Sequence, residues 1–103
     1  MATVYVNIGK AGANGNSADA PLRKTSTQTC TALTTSGTAA YVQKNGQAAT
    51  LNVGDLVDIV TDGAIVVRFD GVATASLGHR IAANVKEPYI CDKDGQQISI
   101  IDQ

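Results

Sequence analysis

The side chains in this sequence that could do chemistry are few and scattered. There is one histidine, His79, followed by Arg80, and two cysteines, Cys30 and Cys91, with no CxxC spacing or histidine-rich segment around them. A serine triad built on His79 would need a nucleophile and a carboxylate from other loops, and the sequence has no GxSxG segment. The sequence therefore predicts a protein that is not an enzyme, with two buried free thiols.

Two short segments have part of a ligand-binding motif. Asp92, Asp94 and Gly95 have the spacing that opens a calcium loop, but the downstream ligands and the terminal glutamate are missing. A hairpin turn explains DKDG without a metal, because Asp tolerates turn geometry and Gly supplies positive φ. The GKAGANG segment does not fit the GxxxxGK[ST] pattern of a phosphate loop. We predict no catalytic residue, no metal and no cofactor.

The composition of the chain disfavours several classes of binding partner. Charged residues make up 17% of the chain and the net charge is −1, so no global field attracts nucleic acid or an anionic membrane. Aromatic residues make up only 4%, which gives little for stacking on bases or sugars. No apolar run approaches the roughly 20 residues of a membrane helix. Met1 is not followed by a secretory signal, so we expect synthesis in the cytoplasm.

The apolar residues are mostly Val, Ile, Leu and Ala, with Thr prominent beside them, and β-branched residues at this density favour strands. Glycine-bearing turns divide the chain into eight or nine short segments without helical period. We predict an all-β chain, folded over residues 1–103 as one two-layer antiparallel sandwich of the jelly-roll or Greek-key kind.

The N-terminal quarter divides into a strand and a loop. Residues 3–8 alternate cleanly and predict a half-buried strand. Residues 9–20 are small and flexible and have no period, so we predict a loop or contact arm over 9–21. Residues 25–34 predict the next strand, in which threonines alternate with small residues.

The segment from Leu56 to Phe69, with Asp62-Gly63 at its middle, predicts a central β-hairpin with a two-residue primed turn. Both faces of such a ribbon would be largely apolar, so something should pack on each side. In a chain this short we expect the second cover to be another subunit. The alternative is a strand pair in the core of a sandwich with a few exposed valines, since folded surfaces keep much apolar area.

The remaining elements are short. Asn45-Gly46 predicts a hairpin between residues 38–43 and 48–52. We predict further strands at 72–76, 89–91 and 97–101, the second of them at an edge because Pro88 offers no donor. Residues 77–84 have no clear period and predict an irregular crossover.

The second half of the chain is similar in pattern to the C-terminal part of small bacteriophage β-sandwich proteins, namely capsid decoration (cement) proteins and head-fibre base domains. The resemblance lies in AIVVRFDGVATASLGHRIAANVKEPYI followed by CDKDGQQISIID. The matching positions are Val67, Phe69, Ala73 to Ser76, Glu87, Tyr89, Gly95, Ser99 and Ile100. These are packing and turn residues, and they cover about a third of the chain. The resemblance implies a structural protein of the virion, often a trimer, made in the infected cytoplasm.

We therefore expect a decoration or cement protein that contacts the major capsid protein or other virion proteins and forms a homo-oligomer, with a trimer favoured. The alternative is a tail, receptor-recognition or adhesive module that binds glycan or protein through its loops. The predicted interface residues fall into two groups. They are Val57, Ile59, Val66 and Arg68 between copies, and Lys10, Leu22, Arg23 and Lys24 toward the capsid.

Overall fold

The structure is a computed structural model that describes residues 1–14, 17–23, 29–44 and 46–103, and of residues 10–14, 17–23, 29 and 30 it describes the backbone alone. Every regular element within these ranges is a β-strand, which confirms the all-β prediction. In the same ranges no helix has the length and apolar character of a membrane span. The strands are β1 (Thr3–Asn14), β2 (Ser17–Arg23), β3 (Thr29–Thr34), β4 (Ala40–Tyr41), β5 (Gln43–Lys44), β6 (Gln47–Ala48), β7 (Thr50–Leu51), β8 (Asp55–Thr61), β9 (Ile65–Arg68), β10 (His79–Ile81), β11 (Lys86–Ile90), β12 (Gln96–Gln97) and β13 (Ser99–Asp102).

The larger sheet has five strands arranged around β1. This strand pairs antiparallel with β8 along one side, and along the other with β3 and then β2. Strand β11 pairs with β8 and forms an edge, as the proline at position 88 predicts. Val4 and Val6 are buried while Tyr5 is exposed, so the alternation predicted for residues 3–8 is confirmed.

The smaller sheet has four antiparallel strands in the order β10-β9-β13-β4. Two further pairs, β12 with β7 and β5 with β6, contain two residues in each strand. The β5–β6 pair is the hairpin predicted at Asn-Gly: Gln43 lies opposite Ala48 and Lys44 opposite Gln47, and Gly46 has a φ of 81°. Residue 45 itself lies outside the described residues.

One buried cluster contains side chains from both the five-stranded and the four-stranded sheet. The five-stranded sheet contributes side chains from β1 and β8, and the four-stranded sheet contributes side chains from β9, β10 and β13. Burial of aliphatic area of this kind stabilises the fold by about 25 cal/mol per Å² removed from water. The largest fully buried side chains are Leu51, Ile59, Ile65, Ile81, Ile98, Ile100, Val4, Val6, Val42, Val57, Val66 and Val67.

The prediction of a hairpin from Leu56 to Phe69 is wrong. Strand β8 belongs to the larger sheet and β9 to the smaller one, so the chain crosses between sheets through residues 62–64. Gly63 is not among the glycines with positive φ, and a Cβ there would lie 3.0 Å from the Cβ of Ala2. The Oδ1 of Asp62 accepts a hydrogen bond of 2.8 Å from the amide of Thr3. The Asp-Gly segment is therefore a corner fixed against the start of β1.

The prediction of a loop over residues 9–20 is also wrong. Residues 9–14 continue β1, and β2 returns beside them with Ala11 opposite Arg23 and Gly12 opposite Leu22. Backbone donors and acceptors can form such a ladder whether or not side chains are buried. The sequence of these residues therefore needs no apolar period to form strands. We call β2 with residues 11–14 the β1–β2 arm. Of the strand predicted over 25–34, residues 29–34 form β3, while 24–28 lie outside the described residues.

The segment after β9 differs from its prediction as well. Residues 72–76 form no strand, and their one ladder contact is a bridge between Thr74 and Leu77. Residues 70–78 instead form a covering loop over the outer side of the smaller sheet, where the amide of Ala73 donates to Oγ of Ser99 at 2.9 Å. The predicted irregular crossover at 77–84 contains β10, which pairs with β9.

The close approach of the covering loop to β9 at Gly78 can be tested by adding one methyl group. A Cβ at this position would lie 2.6 Å from Cγ1 of Val66 and 2.7 Å from the carbonyl oxygen of Val67, at a φ of 143°. We expect Gly78→Ala to lower the free energy of unfolding by about 2–4 kcal/mol, because overpacking and backbone strain act together.

Gly37→Ala is the control, since a Cβ at Gly37 meets nothing within 4 Å. It should change the free energy of unfolding by less than about 0.5 kcal/mol. Urea unfolding of both variants measures the difference. Equal stability of the two would show that the loop does not pack on β9 as described.

Candidate functional site

An open cleft of about 320 Å³ lies where β11 of the larger sheet meets β9 and β10 of the smaller one. Its volume is at the lower end of the range typical of small-molecule sites, about 300–1,000 Å³. Three aromatic rings line it, those of Phe69, His79 and Tyr89, together with polar side chains that include Asp70 and Gln96. We call this the aromatic cleft.

The three rings reach the cleft by different routes. Tyr89 lies opposite Val57 in the β11–β8 ladder, on the side of β11 that faces the core. His79 lies opposite Val67 in the β10–β9 ladder, and Phe69 directly follows β9. The cleft therefore depends on the two sheets being held together by the shared core.

The rings contact one another in tilted arrangements. The centroids of Phe69 and Tyr89 are 5.0 Å apart, those of His79 and Tyr89 5.3 Å, and those of Phe69 and His79 6.1 Å. Tilts of 47° to 59° suit the ring quadrupoles, and such pairs add about 0.5–1.5 kcal/mol each beyond area burial. Phe69 and Tyr89 are half-buried against the core, whereas His79 is exposed.

A short chain of hydrogen bonds fixes the polar side of the cleft. The Sγ of Cys91 lies 3.3 Å from Oε1 of Gln96 and 3.1 Å from the carbonyl oxygen of Lys93. The Nε2 of Gln96 in turn donates to Oδ1 of Asp70 at 2.7 Å. The one S–H of Cys91 faces two acceptors, of which the Lys93 carbonyl is the nearer, and the Gln96 amide directs its N–H groups toward the Asp70 carboxylate.

The Cys91 thiol is free and buried, so this half of the prediction of two free thiols is confirmed. The side chain of Cys30 is outside what the structure describes, and the prediction for it stays open.

A second cleft of about 240 Å³ adjoins the first and shares Phe69, Asp70 and Gln96 with it. Tyr41 lines its far side. The DKDG segment forms one wall as a turn in which Gly95 has a φ of 89°, as predicted, but it is not a hairpin, because β11 pairs with β8 and β12 with β7. The Oδ1 of Asp94 accepts from the amide of Val53 at 2.8 Å. Among the residues whose placement is described, no group of three or more His, Cys, Asp or Glu could hold a metal ion.

Burial raises the pKa of the Tyr89 phenol above its usual value, and the nearby negative charge of Glu87 raises it further. The phenol is therefore protonated at neutral pH and can donate a hydrogen bond. The arrangement of the cleft, with packed rings, an oriented amide and a carboxylate, is suited to binding a small polar molecule with an apolar face.

Three of the predicted interface residues lie inside the chain. Val57, Ile59 and Val66 are 1%, 0% and 1% exposed. Val57 and Ile59 belong to the core cluster, and Val66 lies beneath the covering loop, beside Gly78. The prediction that they form a bare second face for another copy is wrong, because Val57 and Ile59 face the shared core and the chain's own covering loop lies over Val66.

The other predicted residues are at the surface or outside the description. The Arg68 Nη1 donates to the carbonyl of Val72 at 3.1 Å, and this side chain lines the aromatic cleft. Lys10 and Arg23 are in β1 and β2, opposite Asp55 and Ala11, and Leu22 is in β2 as well. Their backbone alone is described, and Lys24 lies outside the described residues.

The sequence did not point to a second feature, the outer face of the larger sheet, which we define by Tyr5, Leu56, Asp58, Val60 and Lys86. Tyr5 is 50% exposed and lies opposite Val60, which lies opposite Lys86. The Nζ of Lys86 is 3.5 Å from Oδ2 of Asp58. The alternation of residues 3–8 already placed Tyr5 away from the core, but the apolar run 56–60 gave no sign that Leu56 and Val60 face outward.

In comparisons with known proteins, no family model matches the chain, and neither the curated proteins nor the solved structures contain a significant match. The resemblance to phage virion proteins therefore rests on the sequence pattern alone.

The raised pKa of Tyr89 predicts a loss of stability at alkaline pH. A phenol whose pKa is higher in the folded state contributes stability that is complete below the unfolded value of 10.0 and is lost as pH rises through the folded value. We expect Tyr89→Phe to reduce the fall in melting temperature above pH 10.0. Tyr5→Phe, on the outer face, is the control. The same alkaline decline in wild type and Tyr89→Phe would contradict the assignment.

Proposed function

We propose that this chain is a structural protein of a bacteriophage particle, a capsid decoration or cement protein that acts in the virion without catalysis. It is made in the host cytoplasm and stabilises the head through contacts between its own copies and with the major capsid protein. The resemblance of the second half to such proteins supports this proposal. We further propose that the two larger sheets form the two layers of a sandwich of the jelly-roll or Greek-key kind.

The observation that carries the proposal is the outer face of the larger sheet. Tyr5 is 50% exposed opposite the half-buried Val60, and the half-buried Leu56 lies further along β8 on the same face. Apolar surface of this kind on one face is common where a chain meets a partner. On the same face the Nζ of Lys86 lies 3.5 Å from Oδ2 of Asp58, so opposite charges stand side by side there. The proposed contact between copies therefore lies on this face.

The β1–β2 arm is the proposed contact with the shell. Its two strands pair with each other, it carries Leu22 and Arg23 by sequence, and Lys10 directly precedes it. A two-stranded arm offers edges and side chains without requiring the core to rearrange, which suits attachment to a preformed capsid surface. Lys24 remains part of the proposal by its position next to the arm.

A lysine on the outer face should weaken the contact between copies. We expect wild type to sediment as a homo-oligomer, with a trimer favoured, and its melting temperature to rise with concentration over a hundredfold range, because association stabilises the folded state by mass action. Tyr5→Lys should sediment as a monomer and melt independently of concentration, because it buries an unpaired charge in the contact.

Val53→Lys is the matched control, since Val53 is 59% exposed in the loop between β7 and β8, away from this face. It should assemble like wild type. A monomeric wild type, or an oligomer that Tyr5→Lys leaves intact, would contradict assembly through the outer face. Binding of the isolated protein to purified capsids tests the shell contact separately.

A second candidate function is a tail, receptor-recognition or adhesive module. The observation that favours it is the aromatic cleft, which a purely structural subunit does not need. Binding to assembled capsids but to no glycan favours the structural role, whereas glycan binding by the isolated chain favours recognition.

A further inference from the structure

We propose that the aromatic cleft binds the pyranose ring of a neutral hexose, through its aromatic wall and the Asp70–Gln96 pair. This goes beyond the structural role proposed above and does not depend on it. A hexopyranose has one apolar C–H face and a rim of hydroxyl groups, and the cleft offers a matching surface for each.

The aromatic rings of the cleft offer a surface for the apolar C–H face of the sugar. The chain contains one Phe, one His and three Tyr, and the cleft gathers the Phe, the His and one Tyr within 6.1 Å of one another. Tyr41 adds another ring on the adjoining cleft. Three of the chain's four Phe and Tyr rings therefore lie at these two adjoining clefts. His79, which is exposed, is the least needed for the core.

The hydroxyl rim has partners of the right type. Asp70 uses Oδ1 to accept from Gln96, and a carboxylate has lone pairs on both oxygens, so Oδ2 can accept from a sugar hydroxyl. The second N–H of Gln96 can donate to another hydroxyl oxygen. The bond between Gln96 and Asp70 already holds the two side chains against each other, so little freedom is lost on binding.

The same geometry argues against two other ligand classes. The ring centroids are 5.0–6.1 Å apart, so the rings touch each other and leave no cage for an ammonium group between them. Arg68 is the only cation that lines the aromatic cleft among the described residues, and Asp70 and Asp92 line it too. An anionic ligand such as a phosphate would therefore be repelled. A neutral sugar fits this balance.

The test is an NMR titration of the isotopically labelled full chain with the methyl α-pyranosides of glucose, galactose and mannose. We expect saturable shifts at the amides of residues 69–71, 78–79, 89–91 and 96, with little change at Tyr5 and Val60. One of the three glycosides should bind with a Kd of about 1 mM, as suits a small ligand on a shallow site. Longer oligosaccharides from bacterial surface polysaccharides form a second arm, and tighter binding there would identify a polymer chain as the source of the sugar.

Two variants locate the site. Asp70→Asn keeps an acceptor for Gln96 but removes the charge, and it should weaken binding about tenfold. His79→Ala removes the exposed ring and should weaken it about fivefold. The controls are Asp62→Asn, another exposed aspartate that accepts one hydrogen bond, and Val53→Ala, an exposed side chain that lines neither cleft. Both should bind within about twofold of wild type.

The proposal is overturned if no glycoside or oligosaccharide gives saturable shifts, if the shifts map to another surface, or if Asp70→Asn and His79→Ala bind as wild type does. Dispersed amide spectra of the variants show that they are folded. Because assembly is tested through Tyr5→Lys on a different face, failure of sugar binding leaves the structural proposal standing, and the reverse also holds.

Discussion

The constraint on which the structure depends is the burial of a long apolar run by a chain with no helix in its described part. Val57, Ile59, Ile65 and Val67 of the run 56–69 all lie in the core cluster. The chain achieves this by turning at Asp62 and Gly63, so that β8 and β9 enter different sheets and both contribute to one core. The corner is held by the reciprocal bonds between Asp62 and Thr3, at 2.8 and 3.2 Å.

This division also creates the cleft. Because β9 and β11 belong to different sheets, Phe69 and Tyr89 meet across the gap between them, and His79 completes the cluster from β10. If β8 and β9 formed one hairpin, Leu56 would have lain beside Phe69, and Tyr89 would have met neither ring. The covering loop then protects the far side of β9, so Val66 needs no partner chain.

Sequence patterns predicted the features set by local chemistry. The alternation of residues 3–8, the Asn-Gly hairpin, the DKDG turn and the edge position near Pro88 depend on neighbours within a few residues. The predictions that were wrong concern features set by contacts between residues far apart in the sequence. An Asp-Gly pair suits both a tight hairpin and a corner, and the choice was made by Ala2, which packs against Gly63 from the other end of the chain. Likewise the side chains of residues 9–14, GKAGAN, do not indicate pairing with β2, because backbone hydrogen bonds form that ladder. The aromatic cleft could not be foreseen because Phe69, His79 and Tyr89 lie on three separate strands or strand ends.

The two surfaces with proposed roles lie on different sides of the larger sheet, and strand alternation keeps them apart. In β1 the exposed Tyr5 lies between the buried Val4 and Val6, and in β11 Lys86 and Tyr89 point to opposite sides. The two surfaces adjoin only at the edge strand β11, where Ile90 lines the cleft and lies opposite Leu56 of the outer face. Under the two proposals, the contact with another copy and the rings that would bind the sugar are therefore on opposite faces of one sheet.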